Sequence, residues 1–351
     1  MDGIFWGACF LKSDQKSEMN RILGMEPKNG ILVSVVVITY NQEKCLPKTL
    51  DSLLAQQCSF QYEIIVSDDC SKDNTRKVME EYAANYPCIK PYCNEKNLGL
   101  VGNYINAISK CKGKYVAMCD GDDLWNDTSK IQKQVDVLES DDRIGLVYTD
   151  VVIDSAITGE RYVRRCQDPQ DDLFTQLLIG NFITISTACF RSELLQYVDF
   201  ASFIENGFIM QDYPMWLSFC HHTRFCRIPE PMVTYRIDHK VVNTDEVSLH
   251  ACRFDENTTE IRLHYLKQHP ESTILTEKDL LDAHYRIGYR SGLNTNDRQR
   301  TLDYVRKISH KSKYEKRLKW ICGSKILFNG YLKYRSMHIK PKSQLEMYFG
   351  N

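Results

Sequence analysis

The sequence has no C-x-x-C pair, no G-x-G-x-x-G or P-loop glycine pattern, and no uninterrupted apolar run long enough to span a membrane. It also has almost no net charge, −1 over 351 residues. Each absence removes a class of protein. The 14 cysteines are scattered from Cys9 to Cys322. Structural zinc sites need close-spaced soft ligands, and secreted disulfide scaffolds are short chains behind a signal peptide, so reduced cytosolic thiols are expected. Without a glycine-rich phosphate loop, a dinucleotide enzyme or an NTPase is disfavoured. Residues 1–10 are apolar but have neither a basic lead-in nor a clean small-residue cleavage site, so they are not read as a signal peptide. Residues 1–30 read as an N-terminal extension, with Met25 an alternative start. With 17 Gly, 10 Pro and 43% hydrophobic residues, collagen, coiled coil and whole-chain disorder are excluded. A globular chain of this length holds two or three domains, or one large domain with additions.

The near-neutral total conceals an uneven distribution. Residues 306–342 hold 12 of the 45 Lys and Arg but only one of the 46 acids, Glu315, leaving 33 bases against 45 acids elsewhere. An acidic body therefore carries a basic tail, an asymmetry that points to a partner.

Residues 31–38 (ILVSVVVI) form a continuous β-branched run, the signature of a strand buried on both faces of a parallel sheet. Residues 43–57 then place Leu46, Leu50, Leu53 and Leu54 at helical spacing. The unit recurs. Strands are expected at 62–67, 114–119 and 144–149, with an extended piece at 89–92, and helices carry Val78 and Tyr82, Val101 and Tyr104, and Ile131 and Val135. This alternation predicts an α/β domain with a mostly parallel sheet covered by helices. Residues 150–172 read as polar and turn-rich, 174–179 and 210–220 as helical, and the chain beyond 243 as helical with helices at 279–291 and 300–308. The expected organisation is an extension (1–30), an α/β domain (31–243) and a helical C-terminal extension with the basic tail (244–351).

Ligands of open parallel sheets gather at the carboxyl ends of the strands. The loops there are Thr39-Tyr40-Asn41-Gln42-Glu43, Asp68-Asp69-Cys70-Ser71-Lys72-Asp73 and Asp120-Gly121-Asp122-Asp123. Three carboxylates within four residues repel one another unless a cation is present, and hard oxygen ligands suit Mg²⁺ or Mn²⁺. An acidic turn is the alternative for an isolated Asp-Gly-Asp-Asp. Its place at the end of a buried strand favours the cation. One carboxylate of Asp68-Asp69 is free to accept hydrogen bonds from a base or ribose, while Ser71, Asp73 and Asn74 suit a helix start.

Thr39-Tyr40-Asn41, Asp68-Asp69 with Ser71 and Asp73, Asn97-Leu98-Gly99, Asp120-Gly121-Asp122-Asp123, Gln211-Asp212-Tyr213-Pro214-Met215-Trp216 and Tyr235-Arg236 follow one another in the order and spacing of family 2 inverting glycosyltransferases of the GT-A fold. The chain resembles bacterial members that build surface polysaccharides or glycolipids, over roughly residues 32–243. The resemblance implies that Ile38, Thr39, Tyr40 and Asn41 line the base site and that Asp69 bonds the base. It places Asn97 and Gly99 in the nucleotide-sugar pocket, Asp122 at the ribose or sugar, and Asp123 on a divalent metal bridging the diphosphate. Asp212 would be the general base, and residues 180–191 the loop below the acceptor. Two departures stand out. Gln211 replaces the family's usual Glu, and His239, the candidate further metal ligand, follows Tyr235-Arg236 one position later than the commonest spacing, with a surface histidine as the alternative.

The implied reaction is inverting, Mn²⁺- or Mg²⁺-dependent transfer from a nucleoside diphosphate sugar, a UDP-sugar foremost, to a carbohydrate or lipid-linked hydroxyl. A sugar nucleotidyltransferase would want a Gly-rich basic loop where 39–43 has none, and a non-catalytic nucleotide-sugar scaffold would not need Asp122, Asp123 and Asp212. His221-His222 is not a ligand pair, because adjacent helical residues point to different faces. No nucleic-acid module accompanies the basic tail, so no nucleic-acid partner is expected. Residues 316–334 mix Arg317, Lys319, Lys325 and Lys333 with Trp320, Ile321, Ile326 and Leu327, a composition suited to an anionic membrane surface. The alternative is a solvated basic helix. The expected location is cytoplasmic, peripheral on the inner face of the membrane.

Overall fold

The computed structural model describes residues 30–156, 159–237 and 244–338. The chain divides into two compact units, Met1–Lys240 and Val241–Asn351.

In the first unit, the described strands form one nine-stranded mixed sheet. Strand β1 (Ile31–Thr39) is buried without interruption from Val33 onward, as its β-branched run requires of a central strand. It pairs in parallel with β2 (Gln61–Asp68) on one side and β4 (Tyr115–Asp120) on the other. The register matches Thr39 to Asp68 and Ile38 to Asp120, so three strands end together. That alignment assembles the site. The extended piece at 89–92 is a true edge strand, β3 (Ile89–Cys93), parallel to β2, where Pro91 is tolerated because only one side of the strand is paired.

The other half of the sheet departs from the sequence reading. Strand β6 does not stop at 149 but runs from Ile144 to Ser155, and a 14-residue strand, β9 (Arg224–Ile237), lies parallel to it. Pro229 and Pro231 disguise β9 in the sequence. The ladder accommodates them through register shifts on either side of Asp150. The buried Asp150 is paired bidentately with Arg227 at 2.8 Å, which makes a polar residue tolerable within the sheet. Short strands β5 (Leu124–Trp125), β7 (Arg161–Arg164) and β8 (Cys189–Arg191) pair antiparallel to β9, to β6, and to both β4 and β6.

The crossover helices are α1 (Leu46–Leu54), α2 (Thr75–Asn85), α3 (Gly99–Ile108) and α4 (Lys130–Ser140). Helix α1 starts at Leu46 rather than 43, with Pro47 in its first turn. Then come α5 (Leu173–Ile179), α6 (Phe200–Glu205) and α7 (Asp212–Phe219). Every residue of α7 after Asp212 is buried, which fixes the position of its first residue.

The second unit contains α8 (Thr244–Gln268), α9 (Glu277–Asn294), α10 (Arg298–Lys307), α11 (Lys313–Cys322) and α12 (Lys325–His338). Thr276 with Asp279 and Ser312 with Glu315 form capping boxes at the starts of α9 and α11. Its core gathers Tyr289, Leu293, Leu302, Val305, Leu318 and Phe328. Helices α9 and α10 pack closely: a Cβ on Gly288 would lie 2.4 Å from the Tyr304 ring.

Candidate active site

The ends of β1 and β2 are tied by their own side chains. Asn41, in the left-handed region at φ 54°, accepts from Lys72 N–H at 2.8 Å, and its own N–H donates to Ser71 Oγ at 2.8 Å. Gln42 N–H donates to Thr75 Oγ1 at 2.8 Å, and Asn74 donates to Glu43. Asp73 receives Glu43 N–H at 3.1 Å. Burial opposes ionisation of Asp73, but hydrogen bonds from Thr75 and Glu43 outweigh it and hold the carboxyl below its usual range. Thr39 is buried and donates to Gln42 Oε1 at 2.8 Å. Tyr40, 42% exposed, is the large side chain of this loop that faces outward. Ile38 is buried, and its carbonyl accepts Gly121 N–H at 3.1 Å. A Cβ on Gly121 would approach Gln42 Oε1 to 2.3 Å and Ile38 O to 3.0 Å, so the β1 and β4 loops meet only over glycine.

Asp69 is 3% exposed and accepts Leu98 N–H and Gly99 N–H, each at 2.8 Å, and Asn94 Nδ2 at 2.9 Å. Three of roughly four acceptor positions on the carboxylate are thus used to hold the start of α3. Asn97 donates to the Asp69 carbonyl at 3.1 Å and accepts Gly99 N–H at 3.1 Å, with Gly99 at φ 76° making the turn. A buried relay continues inward: Asn94 donates to Asn103, which exchanges hydrogen bonds with Ser67 at 2.7 and 3.0 Å. Asp69, Asn97 and Gly99 therefore meet at one place, as a rigid strand-to-helix junction.

The acidic loop divides into two kinds of carboxylate. Asp123 is fully buried; it accepts the Ser186 hydroxyl on one oxygen and Arg236 N–H, at 3.1 Å, on the other. Ser186 Oγ in turn accepts Asp120 N–H at 3.0 Å. This side chain pins the loop to β9 and to the 3₁₀ turn Ile185–Thr187. Asp120 and Asp122 are only partly buried. Burial, then the charges of Asp122 and Asp212, push the Asp120 carboxyl up to about 8. Asp212 therefore lies within electrostatic reach of Asp120, although 92 positions separate them in the chain.

Asp212 is the first residue of α7 and accepts Asn181 Nδ2 at 3.2 Å. Burial raises its pKa, opposed by hydrogen bonds from Tyr213 and Asn181. A partly exposed carboxylate of raised basicity is suited to taking a proton from a hydroxyl. Beside it, Gln211 is 3% exposed and its Oε1 is buried without a hydrogen-bond partner. His239 lies outside the described residues. Among the described residues, no three His, Cys, Asp or Glu side chains are gathered around one point. Two oxygen donors with mutually repelling charge nevertheless fit a hard divalent cation that completes its shell with substrate oxygens and water.

Asn181, Ser186 and the Arg236 amide enter the site without a motif of their own, since they act through backbone-determined positions. Asn181 and Ser186 do fall within the loop expected below the acceptor. His221 packs on Phe174 and His222 stacks on Tyr197, two separate surroundings.

The sequence model of the family described as glycosyl transferase family 2 matches residues 34–197. An uncharacterized protein of Mycobacterium tuberculosis is 33% identical over 169 residues, 46% of this chain and 47% of that protein. The chain thus spans about half the length of that relative. The Escherichia coli protein named UDP-Glc:alpha-D-GlcNAc-diphosphoundecaprenol beta-1,3-glucosyltransferase WfgD is 29% identical over 187 residues, 53% of this chain and 69% of that one. Among solved structures, S. aureus TarS 1-349 in complex with UDP-GlcNAc superposes with a TM-score of 0.56 at 16% identity, covering 88% of this chain and 92% of that one. That likeness shows the shared fold.

Proposed function

This chain belongs to glycosyl transferase family 2 through residues 34–197, and from that premise we propose that it transfers a sugar, with inversion, from a nucleoside diphosphate sugar to an acceptor hydroxyl. The observation that carries this reading is the convergence of Asp120, Asp122 and Asp212, with Asn181 holding the last, at the aligned ends of β1, β2 and β4. A UDP-sugar is the favoured donor, in keeping with the UDP-Glc in the name of the similar WfgD. The acceptor is a carbohydrate or lipid-linked sugar, in keeping with the diphosphoundecaprenol acceptor in the name of WfgD. Residues 31–243 are the transferase domain and 244–351 its C-terminal extension.

Tyr40 offers an exposed ring for the base, and Ile38, Thr39 and Asn41 shape the loop beneath it. Asp69 reaches the base through its remaining acceptor position, while Asn97 and Gly99 form the pocket wall. A divalent ion, Mn²⁺ or Mg²⁺, would be held by Asp120 and Asp122 and would neutralise the departing diphosphate. Asp123, to which the resemblance gave the metal, is buried with one hydrogen bond on each oxygen, from Ser186 and Arg236, and in this reading pins that loop. Asp212 removes the acceptor proton as the acceptor oxygen attacks the anomeric carbon from the face opposite the nucleotide. Asn181 keeps the attacking side of Asp212 oriented. The test is product stereochemistry: with an α-linked UDP-sugar, proton NMR shows a β-linked product, and an α-linked product overturns the inverting assignment.

A further inference from the structure

We propose that the turn joining α11 and α12 is a docking wedge for an anionic lipid surface. The two helices are linked by Gly323 and Ser324, and α12 folds back so that Tyr331 OH meets Tyr314 OH at 2.8 Å. Leu318, Cys322 and Phe328 face the core of the unit. The outward positions keep large apolar groups in water: Trp320 is 68% exposed, Ile326 83% and Leu327 40%. Tyr334 and Met337 continue the exposed stripe along α12 at helical spacing from Ile326.

Along α11, the turn and α12 the exposed charges are basic. Lys313, Lys316, Arg317, Lys319, Lys325 and Lys333 are exposed. Glu315, the one acid between residues 306 and 338, is buried and taken up by Arg286 at 2.9 Å and by its capping box. The surface therefore combines an apolar tip, an amphipathic Trp and exposed bases. A phosphate-bearing polymer would match the lysines but leave Ile326 and Trp320 in water. A lipid interface takes both, with lysine stems lying along the apolar boundary and ammonium groups among the headgroups. No helix among the described residues is long and apolar enough to cross a membrane. This inference goes beyond the transferase reading and does not depend on it.

The full chain is sedimented with vesicles of phosphatidylcholine alone and of phosphatidylcholine with phosphatidylglycerol. Binding to the anionic vesicles is expected to exceed that to the neutral ones at least about tenfold, and to weaken on raising salt from about 0.1 to about 0.5 M. The Trp320→Ser/Ile326→Ser chain, whose altered side chains are exposed and whose circular dichroism should be unchanged, loses that binding about tenfold, as does Lys319→Glu/Lys325→Glu. Absence of binding to anionic vesicles overturns the proposal, as does binding that the Trp320/Ile326 changes leave intact. Salt-sensitive binding of single-stranded RNA in place of vesicles, indifferent to those apolar changes, would show a nucleic-acid surface instead. Donor turnover is measured in parallel, so a failure here is separable from a failure of the transferase reading.

Discussion

Asn181 Nδ2 donates to Asp212 Oδ2 at 3.2 Å, joining the loop before the Ile185–Thr187 turn to the first residue of the helix Asp212–Phe219. The bond orients the proposed base and also favours its ionised form against the burial that raises its pKa. Asn181→Ala should lower kcat about tenfold, the worth of a hydrogen bond to a charged group, with donor KM little changed. Because the ionised base is the working form, the acid limb of the kcat–pH profile should move to higher pH. An unchanged profile would show that Asn181 does not act through Asp212.

Asp122 and Asp123 are neighbours with opposite expected phenotypes. Asp123→Ala strands the Ser186 hydroxyl and the Arg236 amide in a buried place, for a loss of about 3 kcal/mol and a Tm lower by roughly 5–10 °C. Asp122→Ala should leave Tm within about 2 °C, because partly exposed substitutions cost little, while abolishing donor turnover. Differential scanning calorimetry with a donor-hydrolysis assay separates the two. A stable but inactive Asp123→Ala protein would return Asp123 to the metal.

Lys130 is fully buried, bonded to Gln134 Oε1 at 2.8 Å and placed 3.9 Å over the Trp125 ring. Burial, only partly offset by the neighbouring Cys189, Cys119 and Asp127, lowers its pKa from 10.5 to about 8. Below pH 8 the folded and unfolded chains both carry this proton, and the buried ammonium weakens the fold by a constant amount. Between 8 and 10.5 the unfolded chain holds a proton that the folded one has released, so this group adds stability as pH rises, by at most roughly 3 kcal/mol. Lys130→Met should be at least as stable as the native protein at pH 7, with its advantage shrinking toward pH 10 in urea titrations. An advantage that is absent at pH 7, or constant with pH, would contradict this.

Gln211 stands buried next to Asp212 with its Oε1 unpartnered. Gln211→Glu would put a second carboxylate beside the base, disfavouring ionisation of Asp212 and moving the acid limb of kcat upward in pH. A downward or absent shift would mean that the two side chains do not sense each other.

The strands that build the site were legible because burial on both faces leaves a plain sequence trace: the run at 31–38 and the units at 62–67 and 114–119 fall on β1, β2 and β4, and their shared ends fall where ligands were expected. The long strand Arg224–Ile237 was not legible, since two prolines and several charges hide a strand whose bulges absorb them. The motifs located the acidic loop but not the contacts each of its carboxylates makes. Which carboxylate faces outward depends on Ser186 and the Arg236 backbone amide, 63 and 113 positions away from Asp123, and local sequence carries no trace of such contacts.

The most direct test of the central claim compares wild type with Asp212→Asn against a panel of nucleoside diphosphate sugars in the presence of Mn²⁺. Thermal stabilisation by the preferred donor should be the same in both proteins, and transfer to acceptor should fall by at least about a thousandfold in the variant. Full transfer by Asp212→Asn, or no stabilisation of the wild-type chain by any donor, would contradict the account.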